Sequence, residues 1–140
     1  MVIDFEKIAE AHLEGFKGGQ GKLDTRNYVD DKVKIMYSTL RPGASTGLHT
    51  HEGNCEIIYV VSGTATFHYD DTVEEVRQGQ VHYCPMNHAH YMENLTDHDL
   101  VYLAIDVKNI DNLFQVVKEA GTFKMLDQQV NGLPFWENGV

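Results

Sequence analysis

Seven of the eight histidines in this 140-residue chain fall between His49 and His98: His49, His51, His68, His82, His88, His90 and His98. Each imidazole is a metal ligand or a group that titrates near neutrality, so a concentration of them points to a shared site. His49-Thr50-His51 reads as part of a strand, where alternate side chains share a face about 7 Å apart, and both rings can converge on one ion. Glu56 follows five residues later, an odd offset that would place it on the opposite face of an uninterrupted strand. The intervening Glu52-Gly53-Asn54 is a turn that resets the direction and lets the carboxylate rejoin the two imidazoles. Two histidines and a carboxylate on one side of an ion leave positions open, which suits Fe(II), Mn(II), Ni(II) or Zn(II) sites that admit a substrate or water.

The elements that must position these residues are strands. Between Val33 and Val107 the chain reads as short β-rich runs: Val33–Leu40, Leu48–His51, Glu56–Ser62, Thr64–Tyr69, Thr72–Arg77, Val81–Cys84, His90–Glu93 and Leu100–Val107. Turn residues such as Arg41-Pro42-Gly43, Ser62-Gly63, Asp70-Asp71 and Gln78-Gly79 punctuate them. Short strands at this spacing without crossover helices imply an antiparallel sandwich or barrel. Before them, Phe5, Ile8, Ala9, His12, Leu13 and Phe16 recur at helical spacing. The expectation is a short amphipathic helix over residues 4 to 16, capped by Asp4 and followed by a glycine-rich linker. After them, Asn109 to Gly121 reads as a second helix, and Phe123 to Val140 carries Phe123, Met125, Leu126, Leu133, Phe135 and Trp136. So many large apolar side chains call for packing on the domain or on a second copy.

Composition narrows the function classes. Eleven Lys and Arg against 21 Asp and Glu give a net charge of −10, which repels phosphate backbones and anionic lipid surfaces. Neither a nucleic-acid nor a membrane role is expected. No apolar run approaches a membrane span and no leader-like segment is evident at Met1-Val2-Ile3-Asp4, so a soluble cytoplasmic protein is the expectation. Two cysteines, Cys55 and Cys84, imply no disulfide framework.

Read together, Gly43-x5-His49-x-His51-x4-Glu56-x6-Gly63 and Gly79-x5-Pro85-x-Asn87-x2-His90-x3-Asn94 resemble the two motifs of the cupin superfamily, in order and in spacing. The short segment from Gly63 to Gly79 is similar to that of small single-domain bacterial cupins. One position departs, since Asn87 stands where the second motif usually has glycine; asparagine also adopts the left-handed backbone such a turn requires.

The resemblance implies an all-β fold, a double-stranded β-helix or jelly-roll barrel, with short N- and C-terminal helices. Residues 1–140 would form one cupin domain: a barrel core over about 33–107, an N-terminal helix and linker over 1–32, and a C-terminal helix and tail over 108–140. It also implies His49, His51, Glu56 and His90 as ligands of one divalent ion (Fe, Mn, Ni or Zn), with His90 preferred to His88. His68 and His82 are candidate proton-transfer groups bordering the pocket, whereas His12 and His98 read as surface residues.

By alternation from Glu56, Ile58 and Val60 point inward, while Ile57, Tyr59 and Val61 form an outward apolar row that suits a second sheet or subunit. A homodimer is expected. Three imidazoles and one carboxylate around a divalent ion make a Lewis acid with open positions. The expected function is an enzyme acting on a small oxygenated metabolite, sugar-derived or an organic acid, by isomerase, epimerase or lyase chemistry. The alternatives are an Fe(II)-dependent dioxygenase and a non-catalytic small-ligand-binding domain.

Overall fold

The computed structural model describes residues 1–108. The helix expected over Asn109 to Gly121 and the apolar tail Phe123 to Val140 lie outside the described residues. The described residues form ten strands: β1 (Ala11–Glu14), β2 (Lys22–Val29), β3 (Val33–Leu40), β4 (His49–Thr50), β5 (Asn54–Ser62), β6 (Thr64–Tyr69), β7 (Thr72–Arg77), β8 (Val81–Cys84), β9 (Ala89–Glu93) and β10 (Leu100–Lys108). They form two antiparallel sheets, one ordered β1-β2-β3-β10-β5-β8 and the other β4-β9-β6-β7. This is the all-β double-stranded β-helix that the motifs imply. β3, β6, β7 and β8 keep the bounds expected from sequence, and β4, β5, β9 and β10 differ from theirs by two residues or fewer at either end.

The segment before Val33 differs from expectation. In place of a helix over residues 4 to 16 the chain makes a single 3-10 turn at Phe5–Lys7, strand β1, and a second 3-10 turn at Phe16–Gly18. The stretch expected to be a linker contains β2, which pairs with β3 from Leu23↔Leu40 to Val29↔Lys34. The physical reason is a tertiary override of local periodicity. Two of the three buried positions in β2 are polar, Asp24 and Thr25, so the strand carries no clear hydrophobic alternation. Their partners are remote in sequence: Thr25 Oγ1 lies 2.7 Å from Ser38 Oγ, and Asp24 accepts from Arg41 Nε at 2.9 Å.

The two sheets enclose one core containing Leu23, Met36, Leu40, Ile58, Val60, Phe67, Met92, Leu100 and Tyr102. Each large apolar side chain buried there contributes about 1.5–3 kcal/mol. Alternation along β10 sends Tyr102, Ala104 and Asp106 inward, and along β5 it sends Glu56, Ile58 and Val60 the same way. Ile57, Tyr59 and Val61 face outward as expected, with Tyr59 exposed.

Two asparagines hold turns next to this core. Asn87 adopts a left-handed backbone, φ 69°, which confirms that asparagine can replace glycine there. Asn94 is fully buried; its amide donates to the Leu40 and His98 carbonyls at 2.9 and 2.7 Å and accepts from Thr96 N–H at 3.1 Å.

Candidate metal centre

Strand register brings the expected quartet together. His49 on β4 is directly opposite His90 on β9. His51, just past β4, is tied to the turn before β9 by two backbone hydrogen bonds: its N–H donates to His88 O at 3.2 Å, and Asn87 N–H donates to its carbonyl at 2.6 Å. Glu56 reaches the same point from β5 in the other sheet. The three Nε2 atoms lie 2.9–3.1 Å from one another. Glu56 Oε1 is 3.0 Å from His90 Nε2 and 3.4 Å from His51 Nε2. His51, Glu56 and His90 are buried and His49 is half-buried.

The opposite ring nitrogens decide what those Nε2 atoms present. A neutral imidazole has one donor nitrogen and one acceptor nitrogen. His49 Nδ1 donates to the Gly47 carbonyl at 2.7 Å, and His51 Nδ1 donates to Asn54 Oδ1 at 2.8 Å. His90 Nδ1 is 3.0 Å from His82 Nε2, and His82 Nδ1 in turn donates to Glu74 Oε1 at 2.5 Å. Because the Glu74 carboxylate can only accept, His82 Nε2 is a lone pair and His90 Nδ1 must be the donor. With all three rings neutral, three imidazole lone pairs and one carboxylate oxygen face a common point, an arrangement that fits a cation. These four residues could hold a metal ion.

The Glu56 carboxylate draws positive charge to that point, carried by a proton or by a metal ion. Burial pushes the His49 pKa down to about 4, which keeps its ring neutral at physiological pH. Burial also opposes charge on His51, but the hydrogen bond and negative charge of Glu56 outweigh it and raise the pKa. Glu56 itself is held well below the usual carboxylate range: burial works against ionisation, and hydrogen bonds with His51 and His90 overcome it.

Asp106, directly opposite Glu56 across β5 and β10, is the acidic group that sequence reading missed. Burial first, then the hydrogen bond and charge of Glu56, push its pKa up to about 8, and its Oδ1 is buried without a hydrogen-bond partner. The signal was available: Asp106 is the one charged residue among the inward positions Tyr102, Ala104 and Asp106 of β10.

A cavity of about 30 Å3 adjoins the quartet. His49, Glu56, His90 and Asp106 supply its polar wall; Met36, Ile58, Phe67, Met92 and Tyr102 supply the apolar one; Phe16, Lys17 and Lys34 complete it. Space of that size takes two or three water-sized groups.

The remaining histidines separate by structure. His82 is fully buried behind His90, stacked on Phe67 with ring centroids 3.8 Å apart, and does not line the cavity. Burial lowers its pKa, with Glu74 acting in the opposite sense. His68 does not border the cavity either. Alternation along β6 turns Phe67 inward and His68 outward, where it stacks on Tyr91 and its Nε2 is 2.7 Å from Glu93 Oε2. His88 pairs with Asp70 at 2.5 Å, outside the quartet, and His12 and His98 are exposed.

Comparison with known proteins adds a family and three relatives. The family model described as Cupin domain matches residues 36–106. Among curated proteins, the oxalate-binding protein of Thermotoga maritima is 29% identical over 111 residues, covering 75% of this chain and 92% of that protein. The oxalate decarboxylase of Bacillus subtilis is 33% identical over 114 residues, and the matched part spans 72% of this chain but only 28% of that enzyme. Among solved structures, the crystal structure of a predicted oxalate decarboxylase from Thermotoga maritima superposes with a TM-score of 0.73 at 28% identity, covering 78% of this chain and all of that one.

Proposed function

The chain belongs to the cupin family, and from that premise we propose that His49, His51, Glu56 and His90 hold one divalent transition-metal ion beside which the cavity takes a small organic acid of the oxalate class. The observation that carries this reading is the convergence of three imidazole lone pairs and a carboxylate oxygen, with each opposite ring nitrogen already committed. Bound there, the ion supplies Lewis-acid charge and open coordination positions for ligand oxygens.

The chain's own residues set what can enter. The apolar wall of Ile58, Phe67 and Met92 excludes water from the ligand's flank. The narrow space beside the quartet, about 30 Å3, disfavours a sugar-sized metabolite. The names of the two curated relatives support oxalate as the first ligand to test.

A second reading is lyase chemistry at the same site, and Asp106 favours it. Its carboxyl is buried in a wall of the cavity, opposite Glu56 in register, where it can hold a proton for delivery to a bound acid.

Calorimetric titration of oxalate into protein loaded with Mn2+, alongside protein stripped with a chelator, tests the proposal. Binding is expected only in the loaded form, and equal binding by both forms rejects it. Assay of the same mixture for carbon dioxide release separates the two readings: unchanged oxalate leaves a binding protein, and release makes it a lyase.

A further inference from the structure

The 3-10 turn at Phe16–Gly18 carries a feature that the metal site does not explain. Lys17 sits there with φ 54° and ψ 30°, left-handed backbone that a lysine adopts only at a cost. The turn is clamped onto the strand entry that leads to His49. Gly47 N–H donates to Phe16 O at 2.9 Å, and a Cβ on Gly47 would lie 1.6 Å from the Lys17 carbonyl oxygen, so no side chain fits there. The carbonyl of the same Gly47 accepts from His49 Nδ1. The position of Lys17 is therefore built into the site.

Its side chain lines the cavity beside His49 and Asp106, with Nζ 5.6 Å from the centre of the Phe16 ring. Among the described residues it forms no ion pair. An exposed cation that lines the cavity, held in left-handed backbone with no ion pair among the described residues, in a chain of net charge −10, is placed to receive an anion that the rest of the surface repels.

We infer that Lys17 is the specificity-determining residue for dicarboxylates, pairing with the carboxylate of the ligand that points to the cavity mouth. This rests on the metal–carboxylate reading above, and it separates a dicarboxylate from a monocarboxylate: only the former offers a second anionic end. Lys34, opposite Asp106 in register, also lines the cavity and is the competing cation.

The test uses the full chain loaded with Mn2+, with oxalate and formate as probes, in wild type and the variants Lys17→Asn, Lys17→Arg and Lys34→Met. Asparagine removes the charge but tolerates the left-handed backbone. Lys17→Asn should weaken oxalate binding about tenfold or more while formate and Mn2+ affinities stay at wild-type values and Tm is unchanged or higher. A purely structural role for Lys17 predicts no such selective loss. Lys17→Arg should retain oxalate binding. Oxalate binding undiminished in Lys17→Asn, or lost in Lys34→Met alone, overturns the inference and leaves the metal–carboxylate reading standing. If the loaded wild type binds neither oxalate nor formate, both fall together.

Discussion

His82 Nε2 lies 3.0 Å from His90 Nδ1, and the ring making this contact is buried between Phe67 and the Glu74 carboxylate. A group that touches no cavity therefore decides which nitrogen of His90 faces the quartet. Replacing His82 with phenylalanine keeps a flat ring against Phe67 but removes the acceptor. Mn2+ affinity, measured by competition with a chelator, should fall about 10–100-fold. Nitrogen-15 spectra of metal-free protein should show His90 protonated at Nδ1 in wild type and as mixed tautomers in the variant. Unchanged affinity together with an unchanged tautomer would remove His82 from the site.

Metal should act as a stabilising ligand of the folded chain. At a concentration one hundred times its dissociation constant, bound Mn2+ adds about 2.7 kcal/mol to the unfolding free energy. Thermal unfolding of wild type should shift upward accordingly, and chelator should reverse it. Glu56→Gln preserves shape but removes the only carboxylate of the quartet, so its Tm should respond weakly to Mn2+. A full response in that variant contradicts the assignment.

Asn87 tests the turn that presents His90. With φ at 69°, alanine there should cost about 1 kcal/mol, while glycine should be nearly neutral. Urea denaturation of the two variants measures the difference. Equal costs would mean that the side chain, and not the backbone conformation, is what the turn requires.

Asp24 gives a pH dependence away from the quartet. A hydrogen bond from His12 lowers its pKa below 3.8; burial opposes the shift and Arg41 reinforces it. The folded state then stays ionised where the unfolded chain takes up a proton. The contribution is complete above the unfolded value and is lost as pH falls through the folded one. Arg41 is 42% exposed, and solvent screening limits the pair to about 1 kcal/mol. Asp24→Asn should be less stable than wild type by that amount at pH 7, and the gap should close below pH 3.8. A gap at pH 3 as wide as at pH 7 would falsify the ion-pair account.

Much of the candidate site could be read before any fold was known. His49 and His51 share a face because strand alternation is local, and Glu56 returns to them because a glycine turn intervenes. His90 required the second motif, since nothing in the run around it separates it from His88. The N-terminal strands were hidden for the opposite reason. Asp24 and Thr25 occupy buried positions that a periodicity argument assigns to apolar residues, and Phe5, Ile8 and Leu13 recur at a spacing that suits a helix the chain does not form.

The sequence by itself determined the candidate donors, the short antiparallel strands that carry them and the left-handed turn at Asn87, because strand alternation, turn chemistry and motif spacing are all legible in residue order. Only the tertiary structure decided that Asp106 meets Glu56, that His82 and Glu74 orient His90, that His68 turns away, and that Lys17 stands over the cavity. Those relationships depend on strand register and chain closure between segments tens of residues apart, where local periodicity carries no information about which partner a side chain will find.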